Sequence, residues 1–575
     1  MPDKYEYIDT ILAANGLVNP RLNVLVPDHE LYSTMIYQHQ GRLVAVTDGD
    51  KFIGNDDHEA AVAKHLAFFE LASQQAADLV MTPEYSCPPE VLSTCLASGI
   101  FPAEGKLWGI GCESLRPAQL RDFIAANHTV DTFILAEEPA VASDQDKLLD
   151  PFVYLFLSHT AAGFPVRVVL FQFKRFPMGA TDIEALNLQF GTRRFVLRNN
   201  EDSIYLATIL CSESLEIDLV RDLRQFVHKP YLLLHPQMNK GARTDAFKNY
   251  RTQFYNTSAE DAEKDMLCLN WAGGSQIGGT DIGYGNSAFY TKAKKIIIGD
   301  QRISSNDELG LFYNCWSNAR ASILVFSQQE AVYQFENSKT SKGDLPIQNQ
   351  GRFGPQMLQR YVWDAAWAAA PMTADATLVS TCAEIGGDFS RLMAPGLSSV
   401  NKERLLSLSI GEIPSTAWMN PAGSSFFTIG NNEESNRLLV FQDPLTRTLK
   451  KRWLNRYATL VNYLDLEDLI PADSHLTDLA GGVNIHYAAP NLHYNVTGPS
   501  DMPACIVYAG DIDPALVRAL KANLLGAVPK DNKYKVRLMI LYHHLGVLCK
   551  NYEAMAPTAA GNNNENPIAF NKKRL

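Results

Sequence analysis

The strongest constraint on the fold is an alternation. Short apolar runs recur through the first part of the chain, separated by segments with helical periodicity. Residues 78–83 form one such run and end at a proline. Residues 107–112, 166–173, 203–210 and 230–234 are rich in Val, Ile, Leu and Phe and are short enough to be buried strands. Between them, residues 57–77 bring Val62, Leu66, Phe69 and Ala76 near one helical face, with His65, Glu70 and Gln74 between. A second helix is expected over about 214–227. Strands that are apolar on both faces must be covered on both, so the expectation is an α/β layered sandwich.

The rest of the chain reads differently. Residues 137–150, with Glu137, Glu138, Asp144, Asp146 and Asp150, read as a solvated insertion. Residues 336–355 are polar and Gly-rich and read as a linker between a first domain, 1–335, and a C-terminal α-rich domain, 356–555. Helices are expected there at 356–370, 445–464, 513–526 and 535–550, with a strand at 504–509. The tail 556–575, with its Asn-rich run, is expected to be disordered. No fixed-period repeat runs through the chain.

Composition narrows the function classes. The chain has 575 residues and a formal charge of −12, which argues against coating nucleic acid as a whole, because phosphate binding needs clustered Lys and Arg. Its cysteines, Cys87, Cys95, Cys112, Cys211, Cys268, Cys315, Cys382, Cys505 and Cys549, are odd in number, scattered and free of CxxC pairs. That suits a reducing cytoplasm better than a disulfide framework or a zinc site. The acidic start lacks the basic and apolar regions of a signal peptide, and no run is long enough for a membrane span.

Three expected strands end beside residues that carry chemistry. Glu84 follows Thr82 and Pro83, at the strand edge where α/β sheets place ligands. Lys174 follows the strand that ends at Phe173. Cys211 lies between a strand and a helix, and a helix N-terminus and a nearby ammonium both favour the thiolate over a thiol of ordinary pKa, about 8.5. Glu184, followed by Gly191, lies soon after the lysine. Taken singly, each has an ordinary reading: a loop acid, a solvated lysine, a buried structural cysteine.

Taken together, Glu84, Lys174, Glu184 and Cys211 resemble the nitrilase, or carbon–nitrogen hydrolase, superfamily. The run from Ala77 to Glu84, the segment from Leu107 through Gly111 to Glu113, Asn270 to Gly274, and Gly285 with Ser287 are similar to successive strands and loops of that family. The sequence departs from it in several places. Glu213 stands where Asp is usual, Leu215 to Asp218 replaces an aromatic-Pro-Glu sequence, and the helix near Arg251–Asn256 is only faintly similar. The segment between Glu84 and Lys174 is also long for the family, which the acidic insertion explains.

The resemblance implies a four-layer α-β-β-α sandwich for the first domain, followed by a mainly α-helical mixed C-terminal domain. It implies catalysis through a Cys211 thioester, with Glu84 as base, Lys174 and the Ser212 backbone N–H as oxyanion donors, and Glu184 orienting Lys174. It requires no metal and no organic cofactor. The implied substrate is a small amide or nitrile, and the implied assembly is a dimer or larger homo-oligomer. The alternative is a catalytically silent scaffold for oligomerisation or partner binding, including binding within a bacterial defence complex.

Weaker signals accompany these. Gly278 to Gly285 is Gly-rich but lacks the Gly-Lys-Ser/Thr end of a phosphate loop. His475, His486 and His493 fit no metal-ligand spacing, and His543 and His544 fall in an expected helix. The basic stretch from Arg447 to Tyr457 reads as a solvated helix face, or as a surface for a protein or nucleic-acid partner.

Overall fold

In the computed structural model the described residues are 5–28, 30–142, 146–178, 182–216, 229–239, 247, 250–251, 263–281, 287–292, 296–297, 306, 311–316, 321–340, 352–371, 376–412, 438, 447–488, 491–527 and 536–555. The chain divides into two compact units. The first comprises 1–384, 396–403 and 417–451; the second comprises 385–395, 404–416 and 452–575.

Two large sheets build the first unit. One has nine strands in the order Trp367–Ala370, Gln356–Trp363, Ala331–Ser338, Leu31–Gln38, Leu79–Met81, Leu107–Gly111, Pro151–His159, Pro165–Phe173 and Thr132–Leu135. The other has eight, in the order Tyr5–Tyr7, Arg194–Arg198, Tyr205–Thr208, Tyr231–Pro236, Lys264–Leu269, Ala288–Lys292, Ala321–Val325 and Phe312–Trp316. Side chains alternate between the faces of a strand, and here both faces are apolar. Ile36, Met81, Phe152, Tyr154 and Val168 of the first sheet share one buried cluster with Leu206, Leu234, Leu267 and Phe289 of the second.

The opposite face of the nine-stranded sheet, with Met35, Val80, Trp108, Val153 and Phe171, is covered by helices His58–Gln74, Pro89–Ser98 and Pro117–Asn127 through Phe68, Phe69, Leu92, Cys95, Leu120 and Phe123. Three layers, α-β-β, are therefore present among the described residues. Most of the helix expected at 214–227 lies outside them; its first turn is Glu213–Glu216. In helix His58–Gln74, His65 turns inward rather than lying between core positions: it is fully buried, with Nδ1 2.7 Å from the Ala61 carbonyl oxygen.

Three expectations are corrected. Residues 356–370 are two strands, not a helix, and they extend the nine-stranded sheet of the first unit instead of opening a second domain. Met357 and Tyr361 stand four apart, as on one helix face, but a bulge between them turns Met357 toward the second sheet and Tyr361 toward the helices. Residues 535–550 are likewise a hairpin, Leu538–His544 with Val547–Asn551, so His543 and His544 lie on a strand. Its turn residues Leu545 and Gly546 both have positive φ, 51° and 78°. A short apolar run such as Leu538 to Leu541 reads equally well as buried helix or buried strand. The acidic stretch 137–150 is also not simply solvated. Glu137 is buried and accepts hydrogen bonds from the backbone N–H and hydroxyl of Thr192, and Asp150 is buried as well.

The second unit is α/β rather than mainly helical. Its five-stranded sheet runs Asn484–Ile485, Val496–Thr497, Pro503–Asp511, Leu538–His544, Val547–Asn551. The strands Pro503–Asp511 and Leu538–His544 are parallel, with helix Pro514–Ala527 between them in the chain. Arg537 forks onto Asp478 at 2.8 and 3.0 Å. In the basic stretch, which lies on helix Arg447–Leu464, Lys451 pairs with Glu384 and Arg456 with Glu412. Residues 341–351 of the expected linker and the tail 556–575 lie outside the described residues. No helix among the described residues is long and apolar enough to cross a membrane.

Candidate active site

Glu84, Lys174, Glu184 and Cys211 are each at most 3% exposed, and all belong to the first unit. Glu84 lies just beyond strand Leu79–Met81. Gly111 at the end of the neighbouring strand has no side chain, and a Cβ there would overlap the Pro83 carbonyl. The same device acts at Gly191. Its N–H donates to the Lys174 carbonyl at 2.8 Å, and a Cβ would overlap the Phe173 carbonyl. The glycine that follows Glu184 thus lets the returning chain lie against the lysine loop.

Lys174 is the hub. Its Nζ donates to Glu84 at 2.7 Å and to Glu184 at 2.8 Å, with Asp150 Oδ2 at 3.6 Å. Burial alone pulls a lysine pKa down; here the neighbouring carboxylates, Glu184 and then Glu84, outweigh it and hold Lys174 well above its usual value. The carboxylates of Glu84, Asp150 and Glu184 lie within 4.8 Å of one another, a cluster of the kind that holds a cation, and the ammonium is the cation among them. The Glu184 oxygen that accepts from Lys174, Oε1, also accepts from the Tyr85 hydroxyl at 3.0 Å, and its Oε2 accepts from the Met178 N–H at 2.6 Å.

Cys211 sits at a sharp elbow. Strand Tyr205–Thr208 ends three residues before it and helix Glu213–Glu216 begins two residues after. Its φ is +35°, a region costly for a residue with a Cβ. Several bonds hold it there. Its N–H donates to the Pro236 carbonyl, and its carbonyl accepts from the Ser214 hydroxyl and from His235 Nε2 at 3.0 Å. The buried Glu213 carboxylate accepts the N–H of Leu210 at 2.9 Å and of Arg175 at 2.7 Å, so one side chain ties the cysteine elbow to the lysine loop. His235 is neutral: burial lowers its pKa to about 3.

The thiol faces the Met238 carbonyl at 3.8 Å, while the Met238 N–H donates to Glu84 Oε2 at 3.0 Å. Burial, and then the Glu84 charge, push the Cys211 pKa up, and the Lys174 charge offsets only part of this. Burial and Glu84 thus outweigh the ammonium that favours the thiolate, and the pocket favours the protonated thiol. Burial also raises the Glu84 pKa, against the pull of Lys174. A carboxylate with raised basicity beside a protonated nucleophile is suited to accept its proton.

The sequence reading missed four contributors. Asp150 was placed in a solvated stretch. Tyr85 and Met238 hold the carboxylates. Trp271 donates its indole N–H to the Glu84 carbonyl at 2.7 Å. Asn270, beside it, exchanges hydrogen bonds with the backbone of Asn239 at 3.0 and 2.8 Å. The one signal for these was the Asn270–Gly274 segment; the loop 236–239 carried none. Gly285 lies outside the described residues, while Ser287 accepts from the Asn270 N–H at 3.0 Å.

No family model and no curated protein matches the sequence. Among solved structures, the chain is similar to a glutamine-dependent NAD+ synthetase from Acinetobacter baumannii in complex with ADP, at 11% identity and TM-score 0.32, covering 69% of this chain and 57% of that one. It is also similar to a mutant of the Nesterenkonia AN1 amidase from the nitrilase superfamily, at 13% identity and TM-score 0.26, covering 47% and 86%. A glutamine-dependent NAD+ synthetase from Cytophaga hutchinsonii matches at 12% identity and TM-score 0.26, covering 46% and 39%. The chain thus spans little more than half the length of the first synthetase.

Proposed function

We propose that the chain is a thiol-dependent carbon–nitrogen hydrolase of the amidase kind, acting on a small non-peptide amide or nitrile through a Cys211 thioester. One observation carries this reading: a single buried ammonium, Lys174, bridges Glu84 and Glu184, while Met238 joins Glu84 to the Cys211 thiol, its N–H donating to the carboxylate and its carbonyl facing the sulfur.

In this reading Cys211 Sγ attacks the amide carbon as its proton passes to Glu84. The carbonyl electron pair moves to oxygen, where Lys174 Nζ and the Ser212 N–H stabilise it. The tetrahedral intermediate collapses, the C–N bond breaks, and the leaving amine takes the proton from Glu84. Water then attacks the thioester, again giving a proton to Glu84, and the acid leaves as the thiol is restored. Glu184 orients Lys174 throughout. No step calls on a metal or cofactor.

The same reading adds a fourth, helical layer on the outer face of the eight-stranded sheet. Tyr205, Leu233, Met266 and Tyr290 are buried there, and Tyr250 packs with them. It also takes the chain as a cytoplasmic dimer or larger oligomer, as the resemblance implies.

The silent-scaffold reading has one observation in its favour: the thiol is only 1% exposed. Mass spectrometry after exposure to a panel of amides and nitriles separates the two. A thioester adduct on Cys211, absent from C211A, supports the hydrolase; turnover that survives in C211A refutes it.

A further inference from the structure

Asp150 is not accounted for by the proposed chemistry. It is 1% exposed and immediately precedes strand Pro151–His159. Its backbone carbonyl accepts the Lys174 N–H at 2.9 Å, so the two residues are locked together through the main chain. Its Oδ2 lies 3.6 Å from Lys174 Nζ, beyond hydrogen-bond reach, and has no hydrogen-bond partner among the described residues. An ionised carboxylate so placed would close on the ammonium, as Glu84 and Glu184 do at 2.7 and 2.8 Å.

We propose that Asp150 is a positioning residue, a buried neutral carboxylic acid that buttresses Lys174 without competing for its charge. This rests on the hydrolase reading above. The groups facing Asp150 are Lys174, Glu84, Glu184 and the Tyr85 hydroxyl. Glu84 and Glu184 already balance the ammonium with one negative charge to spare, and a third anion in the same dry pocket would be unpaired. Burial, followed by the Glu84 charge, holds the Asp150 pKa well above the carboxylate range despite the attraction of Lys174. In the proposed state the Asp150 proton goes to the oxygen of the Tyr85 hydroxyl, whose own proton goes to Glu184. An acid–phenol–carboxylate chain of this kind holds Glu184, and through it Lys174, in place. No proton leaves the chain during turnover.

The test uses the full chain and acrylamide, which alkylates a thiol by forming an S–C bond and transferring the thiol proton to the adjacent carbon. The rate of Cys211 alkylation is followed by mass spectrometry across pH, with C211A as the blank. D150N copies a neutral acid in shape, and its rate should stay within about threefold of wild type at neutral pH, whereas D150A, which removes the buttress, should fall about tenfold or more. The wild-type to D150N ratio should be flat through the acid and neutral range and fall only on the alkaline side, where Asp150 ionises.

A D150N rate as low as that of D150A, or a ratio that changes near pH ~4 as for an ordinary aspartate, overturns the proposal. So does a D150A rate equal to wild type. An infrared difference spectrum of wild type against D150N supplies the independent readout: the band of a protonated carboxyl is expected, and a carboxylate band overturns the assignment. Should wild-type Cys211 resist alkylation at every pH, the hydrolase reading falls, while the infrared band still decides the state of Asp150.

Discussion

The ammonium of Lys174 and the carboxylate of Glu84, 90 residues apart in the chain, stand 2.7 Å apart with neither side chain more than 1% exposed. A pair so dry is held by geometry, because each ion has given up its water.

Removing the positive member should therefore cost both fold and chemistry. K174M leaves Glu84 and Glu184 facing each other without a counterion. Breaking a buried pair in this way costs about 3–5 kcal/mol. Protonation of one carboxylate relieves part of that, so the loss should be larger at pH 8 than at pH 5. Urea unfolding at the two pH values checks this; a pH-independent loss would mean that the lysine is held by packing alone. Alkylation of Cys211 should also slow by about a hundredfold or more, through loss of the cationic partner.

Glu213 makes a different prediction, because it touches neither substrate nor thiol. Its carboxylate holds the N–H groups of Leu210 and Arg175, on the two loops that present Cys211 and Lys174. E213A strands both donors in a buried site and should cost about 2–3 kcal/mol. E213Q keeps an acceptor oxygen and should recover part of the stability and of the Cys211 alkylation rate. Equal defects in the two variants would show that the charge, not the acceptor geometry, is what the elbow needs.

Cys211 itself carries backbone strain. With φ at +35°, any side chain with a Cβ is held at a cost of about 1–2 kcal/mol. Replacement by glycine releases that strain, whereas replacement by alanine keeps it. C211G should be more stable than C211A in thermal unfolding, the reverse of the usual order of these residues within regular structure. If C211A unfolds at the higher temperature, the elbow is not strained.

How much of this was written in the sequence differs from part to part. Glu84, Lys174 and Cys211 each sit just past a short apolar run, and the regular recurrence of such runs between helical segments is what marks them as buried strands. Asp150 could not be read in the same way. Its neighbours Asp144 and Asp146 make the segment look solvated, and only the pairing of Phe152 with Gln172 and Pro151 with Phe173 carries Asp150 inward. The strands at 356–370 and 538–551 were misread for a related reason: their apolar spacing suits a helix as well, and the partner strand that decides the matter lies elsewhere in the chain. Met238 contributes main-chain groups alone, and a backbone N–H leaves no mark on residue identity.

The buried histidines set the acid limit of the fold. His39 and His235 are each held to a pKa of about 3, in both cases chiefly by burial, against an ordinary value of 6.5, and burial lowers His65 too. In the unfolded chain these rings take up protons below pH 6.5, whereas in the folded chain His39 and His235 do not until about pH 3. Stability from each is thus complete above pH 6.5 and is lost as the pH falls toward 3, by roughly 2 kcal/mol per histidine by pH 5. His39 is bonded to Asn55 at 2.6 Å and His235 to the Cys211 carbonyl at 3.0 Å, so glutamine is the gentlest non-titrating replacement. Both H39Q and H235Q should be less stable than wild type at pH 7, with the gap narrowing as the pH drops to 5. A gap that stays constant over that range in urea titrations would place the rings outside the acid transition. For H235Q the alkylation rate of Cys211 should fall as well, since the ring holds the carbonyl of the strained elbow, whereas H39Q should leave that rate nearly unchanged.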